Sequence, residues 1–364
     1  MNEVEILSRL VGFPTITDGP NLDLVDWVRV FLIDCGFAVN LVPSDCGTKA
    51  GLLARRGEGP GGVLLSAHSD VVPVSGQDWD RDPFTLAGCG RRLVGRGTTD
   101  MKGFLACVLA EAWRLKGRPL AKPMMVALSW DEEIGCQGIP HMIDRVIPTV
   151  GWPGLVIVGE PTGMRLCIGH KGKAAYRATC RGTPGHSAMA PRFTNALHLA
   201  ADLIGALRRV QDRVAVSGAR DDGYQVPYST LHAGKMSGGI ALNMVPEEAV
   251  VDFEIRHLAA EDPDDLLAEV MDGLPAGIAV EKVTSYPGLN ADPMHPAIAG
   301  LASRLSNPAP VRVSYGTEAG FFAGLGLPTV VCGPGDMADG HQPNESIELT
   351  ELRRCRALMG RLFG

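Results

Sequence analysis

The residues best suited to chemistry in this chain are acids and histidines placed where apolar runs stop. His68-Ser69-Asp70 follows Val63-Leu64-Leu65-Ser66-Ala67, and Asp100 precedes a strongly apolar helical stretch. Glu132-Glu133 follow the run from Met124 to Trp130, and Glu160 follows Leu155 to Val158. His341 lies in a glycine-rich loop, Gly333-Pro334-Gly335-Asp336-Met337-Ala338-Asp339-Gly340-His341, after a last apolar run. In an extended segment, side chains two residues apart share a side. His68 can therefore ligate a metal with the Asp70 carboxylate behind it, fixing the tautomer of the ring. Several carboxylates gathered in one crevice repel one another unless a cation neutralises them. Two histidines with several carboxylates suit a borderline cation such as Zn²⁺ or Co²⁺, whereas an all-oxygen set would suit Mg²⁺ or Ca²⁺. The adjacent pair Glu132-Glu133 suggests divided work. One acid can hold metal while the other takes a proton from water whose pKa the metal lowers to about 7. Any one of these acids could simply cap a helix, but their recurrence at successive strand ends argues for a joint site.

Strands and helices must alternate to bring such residues together. Helices are predicted over 3–11, 21–36 and 101–116, with strands over 37–42, 51–55, 63–67, 124–130 and 155–158. The last three strands are continuously apolar, which indicates an α/β fold with a largely parallel sheet covered on both faces. In such sheets, ligands bind in the crevice beyond the strand ends. Gly57-Glu58-Gly59-Pro60-Gly61-Gly62 formally matches a dinucleotide fingerprint, but it carries Pro60 and opens a strand, so it reads as a turn.

The pattern changes near residue 172. Tyr176, Ala178 and Cys180 alternate with Arg177, Thr179 and Arg181, and Val251, Phe253 and Ile255 alternate with Asp252, Glu254 and Arg256. The element order over 172–285 is β-α-β-β-α-β, the ferredoxin-like arrangement. A discontinuous catalytic domain, 1–171 with 286–364, is thus expected to carry an inserted domain at 172–285.

Composition narrows the function class. The 364 residues carry 41 acidic and 34 basic side chains, a net charge of −7, without long single-sign blocks. That balance disfavours nucleic acid as a partner. The nine cysteines are scattered with no Cys-x-x-Cys pair, which argues against a disulfide framework or a thiolate zinc site. No apolar run has the length of a membrane span, and Met1-Asn2-Glu3-Val4-Glu5 lacks the order of a signal peptide, so a cytoplasmic protein is expected.

Three motifs carry a resemblance. Ser66-Ala67-His68-Ser69-Asp70-Val71-Val72-Pro73, Gly95-Arg96-Gly97-Thr98-Thr99-Asp100-Met101-Lys102-Gly103 and Asp131-Glu132-Glu133-Ile134-Gly135 resemble the dinuclear-zinc aminoacylase, carboxypeptidase and desuccinylase family. The resemblance spans nearly the whole chain, the inserted domain serving as a lid and dimerisation domain. It implies two divalent ions per subunit, Zn²⁺ or Co²⁺, with His68, Asp100 and Glu160 on one and Asp100, Glu133 and His341 on the other. Asp100 would bridge, Glu132 would be the general base and later proton donor, and Asp70 would back His68. A cis peptide at Asp100-Met101 is also implied. In Gly182-Thr183-Pro184-Gly185-His186-Ser187-Ala188, the family's lid histidine, here His186, would reach the site of a partner subunit and stabilise an oxyanion, which implies a homodimer.

Within the family, Gly159-Glu160-Pro161-Thr162, Gly169-His170-Lys171-Gly172-Lys173, Tyr315-Gly316-Thr317-Glu318-Ala319-Gly320 and the stretch Gly238 to Pro246 most resemble acetylornithine deacetylases. The substrate so implied is a small N-acyl amino acid, acetylornithine, cleaved to ornithine and acetate. A succinyl-diaminopimelate desuccinylase or another N-acyl-amino-acid hydrolase is the alternative. Arg256, on the polar side of its strand, can bind a substrate α-carboxylate as a fork, with Asn243 a lesser candidate. A carboxylate at Glu318 can receive an amino group of ornithine, and an acid at a helix start is equally favoured by the helix dipole. Two stretches depart from the deacetylase pattern: Asn344 stands where an acid is expected, and Pro191-Arg192-Phe193-Thr194 differs in the lid. Gly-x-Ser-x-Gly is absent, which disfavours a serine hydrolase, and a non-catalytic binding protein would need no base such as Glu132.

Overall fold

The apolar runs that end in acids and histidines lie side by side as the central strands of one sheet. The structure, a computed structural model, describes residues 1–364. In chain order, the first stretch gives α1 (Glu3–Val11), α2 (Leu22–Asp34), β1 (Ala38–Pro43), β2 (Ala50–Arg56), β3 (Val63–His68), β4 (Ala87–Cys89), β5 (Arg92–Val94), α3 (Lys102–Leu115), β6 (Met124–Ser129), α4 (Ile143–Val150), β7 (Leu155–Pro161) and β8 (Cys167–His170). Next come β9 (Gly172–Arg181), β10 (Gly185–His186), α5 (Ala196–Ser217), β11 (Thr230–Gly238), β12 (Met244–Val245), β13 (Glu248–His257), α6 (Pro263–Met271) and β14 (Ile278–Tyr286). The chain closes with β15 (Leu289–Asn290), α7 (Pro296–Ala302), β16 (Val311–Val313), α8 (Ala319–Gly324), β17 (Thr329–Gly333), β18 (Ser346–Glu348) and α9 (Leu349–Phe363). Two units result, one of residues 1–169, 291–312 and 317–364, the other of 170–290 and 313–316.

The first unit is an α/β layer structure on a sheet ordered β1-β2-β6-β3-β7-β17-β8. Its centre, β6-β3-β7-β17, is parallel, while the flanking pairings β1-β2, β2-β6 and β17-β8 are antiparallel. Every residue of β3, β6 and β7 is buried, as strands covered on both faces must be. On one face Leu65, Val126 and Ile157 share a core with Leu105 and Leu109 of α3 and Leu358 of α9. Each such fully buried aliphatic side chain contributes about 1.5–3 kcal/mol. Gly159 in β7 is needed for this fit, since a Cβ there would meet the Phe104 ring at 2.0 Å. The glycine thus lets β7 press onto α3 and carries Glu160 to the strand end.

The second unit is a four-stranded antiparallel sheet, ordered β11-β13-β9-β14. One face is apolar: Tyr176, Ala178 and Cys180 of β9 and Val251, Phe253 and Ile255 of β13 pack on Leu203, Leu207 and Val210 of α5. Tyr176 and Phe253 stack with ring centroids 5.1 Å apart. No helix of the chain is long and apolar enough to cross a membrane.

Candidate metal centre

Because β3, β6, β7 and β17 run parallel, their carboxyl ends open at one edge of the sheet. His68 is the last residue of β3, and Glu160 is the penultimate residue of β7. Glu132 and Glu133 lie just past β6, Asp100 just before α3, and His341 in the loop after β17. The Asp100–Met101 peptide bond is cis. All these residues belong to the first unit, which brings them into contact.

His68 Nε2 lies 3.1 Å from Asp100 Oδ1 and 3.6 Å from Glu160 Oε1. His341 Nε2 lies 3.1 Å from the other Asp100 oxygen, Oδ2, and 2.9 Å from Glu133 Oε2. Asp100 therefore faces both imidazoles, one with each oxygen. Ligand atoms of His68, Glu132 and Glu160, and again of His68, Asp100 and Glu133, fall within 4.8 Å of one another. Glu133 Oε1 is buried with no hydrogen-bond partner. An orphaned anionic oxygen among nitrogen and oxygen donors is what a divalent cation would satisfy, so the donor set fits such an ion.

The surrounding residues orient these donors. His68 Nδ1 lies 3.0 Å from the main-chain carbonyl of Asp70, and donation there leaves Nε2 free to ligate. The Asp70 carboxylate is farther from that ring nitrogen, at 3.5 Å, and instead accepts the amides of Glu132 and Glu133, each at 3.2 Å. Asp131, with φ +52°, leads into the two glutamates. It is clamped by Lys49 Nζ at 2.5 Å and by the Asp18 amide at 3.0 Å.

Proton affinities report how much positive charge the cluster demands. Burial raises the Glu132 and Glu160 carboxyls well above the usual range, reinforced by the charges of neighbouring carboxylates. Burial and the nearby Asp100 charge push Glu133 up to about 7, despite the His341 hydrogen bond. Hydrogen bonds to Asp100 and Glu133 raise His341 to about 10. Burial opposes ionisation of Asp100 too, but its bonds to His341 and His68 win and hold it below its ordinary value. A divalent cation held by these residues would take over the role these protons play.

Glu318 also belongs to this unit and is only 1% exposed. It stands at the start of α8, yet its side chain makes no cap bond; Thr317 Oγ1 takes the Ala319 amide at 3.0 Å. Its Oε1 has no hydrogen-bond partner, and burial pushes the carboxyl up to about 7.

His186, Asn243 and Arg256 lie in the second unit. His186 is exposed and pairs with Met244 in the β10–β12 ladder, and Ser187 donates to the Asn243 carbonyl at 3.1 Å. Arg256 binds Glu254 at 2.9 Å and the Tyr286 hydroxyl at 2.8 Å, and lines a cavity of about 190 Å³ with Lys171, Thr230 and Ser314.

Glu345, Arg96, Gln77 and Lys49 also support the site, which their positions in the sequence do not disclose. Glu345 is buried against the turn that carries Asp100, and Gln77 donates to the His341 carbonyl at 2.8 Å. The one signal in the sequence is that an acid stands one position after Asn344. Asn344 itself holds Asp80: its Oδ1 accepts the Asp80 amide and its Nδ2 donates to the Asp80 carboxylate, both at 3.1 Å.

Comparison with known proteins follows the same lines. The model of peptidase family M20/M25/M40 matches residues 64–363. An acetylornithine deacetylase of Klebsiella pneumoniae is 32% identical over 374 aligned residues, covering 99% of this chain and 96% of that protein. A metallo-carboxypeptidase of the M20 family from Sulfolobus solfataricus superposes with a TM-score of 0.81 at 17% identity, covering 100% of this chain and 98% of that one. A dinuclear metal-binding M20 peptidase of Bacillus subtilis superposes with a TM-score of 0.71 at 14% identity, covering 99% and 96%. These two structures speak for the fold alone.

Proposed function

The chain belongs to peptidase family M20/M25/M40, metal-dependent hydrolases of amide bonds, and from that premise we propose that it removes the acyl group from a small N-acyl amino acid, with acetylornithine as its substrate. The observation that carries the hydrolytic reading is Asp100 set between two imidazoles, with Glu132 beside that of His68. His68, Asp100 and Glu160 are assigned to one divalent ion, and Asp100, Glu133 and His341 to a second. Zn²⁺ suits this nitrogen and carboxylate set, and Co²⁺ shares its preferences.

Such ions supply Lewis acidity to the acyl carbonyl and acidify the attacking water. The protein's own part begins with Glu132, which takes the proton from that water and returns it to the leaving nitrogen. The carboxyl protonated in the first half of the cycle is the group that delivers that proton to the amine in the second. Asp70 holds the Glu132 and Glu133 amides and the His68 ring in one arrangement. His186, supplied by a partner copy joined through the second unit, is assigned the developing oxyanion. Arg256 is assigned the substrate α-carboxylate, with Asn243 near His186 in the same unit.

Ornithine as the leaving amino acid rests on the 32% identical deacetylase and on Glu318. A buried carboxyl with an unpartnered oxygen offers a site for a side-chain ammonium. The deciding experiment is a substrate panel with zinc-reconstituted protein: acetylornithine, acetylcitrulline, succinyl-diaminopimelate and simple acetyl amino acids. The expected result is the highest kcat/KM for acetylornithine. Turnover confined to the succinylated compound overturns the substrate, and turnover of none of them overturns the acyl-amino-acid reading.

A further inference from the structure

Glu345 joins the two loops that carry Asp100 and His341. Its carboxylate is 1% exposed. Oε1 accepts the amides of Thr99 at 2.8 Å and Asp100 at 3.0 Å, while Oε2 accepts the Gly97 amide at 3.0 Å and Arg96 Nη1 at 2.8 Å. Three amides of one turn aimed at a single carboxylate form a main-chain anion hole, and the protein fills it with its own side chain. The turn depends on Gly97, at φ +81°, where a Cβ would meet Val71 Cγ1 at 2.8 Å.

The main chain adds further ties. The Gly95 amide donates to the Glu345 carbonyl at 2.9 Å, and Thr99 Oγ1 donates to the Ser346 carbonyl at 3.0 Å. Arg96 extends the link towards His341: Nη1 reaches the Gln342 carbonyl at 3.3 Å, and Nη2 bonds to Gln77 Oε1. Gln77 in turn donates to the His341 carbonyl at 2.8 Å. Asp100 and His341, whose side chains meet at 3.1 Å, are therefore held in register from behind by one carboxylate.

We propose that Glu345 is a positioning residue for the metal centre: by filling the amide hole of residues 97–100 it fixes Asp100 relative to His341 and so sets the affinity of the ion shared by Asp100, Glu133 and His341. This rests on the reading of those residues as ligands.

The test compares wild type with Glu345→Asp, Glu345→Gln and the double variant Arg96→Gln/Glu345→Gln. Aspartate keeps the charge opposite Arg96 but falls one methylene short of the amides, and the double variant avoids a buried unpaired guanidinium. Chelator-treated protein is titrated with Zn²⁺ against a competing chelator, and melting temperature, kcat and KM are measured separately. Wild type should take up two ions. In the variants one uptake step should weaken by about 10–100-fold, with kcat falling in parallel and KM staying within about threefold. The loss should be smaller for Glu345→Asp than for Glu345→Gln, because the charge is retained. Folded variants that bind both ions within about threefold of wild type, with only the melting temperature lowered, overturn the proposal. Loss of folding in all three also overturns it, since Glu345 would then be a requirement of the fold itself. Wild type binding fewer than two ions overturns the ligand reading and this proposal with it.

Discussion

The Asp70 carboxylate accepts the Glu132 amide at 3.2 Å, while its own main-chain carbonyl lies 3.0 Å from His68 Nδ1. One residue thus orients the ring of His68 on one side and Glu132, the proposed base, on the other. Asp70→Asn keeps the shape but replaces one acceptor oxygen with an NH₂ group, which would face the Glu132 or Glu133 amide. The chain should stay folded with kcat reduced about 10–100-fold. Steady-state kinetics beside elemental analysis of bound metal would check this; an unchanged kcat would show the link to be idle.

The Glu132 carboxylate makes no hydrogen bond to either imidazole and accepts only the Cys136 thiol, at 3.4 Å. In its proposed role of base and acid it should be dispensable for holding metal and indispensable for turnover. Glu132→Gln should lower kcat by at least about 10²-fold while the bound metal stays near the wild-type level. A variant that retains a tenth or more of wild-type kcat would rule the role out.

Metal-free protein should lose stability as pH rises. Glu133 and Glu318 are raised from 4.5 to about 7, and His341 from 6.5 to about 10, so the folded state holds more protons than the unfolded one between those values. Stability from these groups is complete below their unfolded pKa and is lost as pH climbs through the folded one. Asp100, held low, works the other way, but only below about pH 4. Divalent metal must displace these protons, so its affinity should rise with pH and its binding should release protons. Thermal melts from pH 5.5 to 8.5, with and without Zn²⁺, should show the stabilisation by metal widening with pH. A constant gap would contradict the proton-loaded centre.

What was legible in the sequence was local. Continuous apolar runs marked β3, β6 and β7, and the acids and histidines at their ends mark the edge where the centre forms. The α/β class and the membership in a metal-dependent amide-hydrolase family follow from these runs and motifs. α4 is masked in the sequence by Pro148 inside it, although Ile143, Val146, Ile147 and Val150 keep helical spacing. That Glu318 begins a helix was readable; that its side chain leaves the cap to Thr317 was not, because rotamers are set by packing. The role of Glu345 is hidden for a longer-range reason. Its partners Gly97, Thr99 and Asp100 lie on the other side of the second unit in sequence, and no periodicity encodes that pairing.

Asn344, where an acid was expected, has an equally distant cause that a mutation can test. It sits at φ +58°, a conformation asparagine tolerates better than most residues, and it makes two bonds to Asp80, one to its amide and one to its carboxylate. An aspartate could keep the first bond but would set two carboxylates against each other at the second. Asn344→Asp should therefore destabilise the chain by about 1 kcal/mol, the worth of one exposed hydrogen bond plus a screened repulsion. Adding Asp80→Asn exchanges donor and acceptor across the pair and should restore most of the loss. Urea unfolding of the wild type, both single variants and the double variant gives the coupling directly. If Asn344→Asp matches wild type and Asp80→Asn adds nothing in that background, the pair does not explain the substitution. The loop also carries His341, so the same variants should weaken metal uptake in step with their loss of stability, and the double variant should recover both.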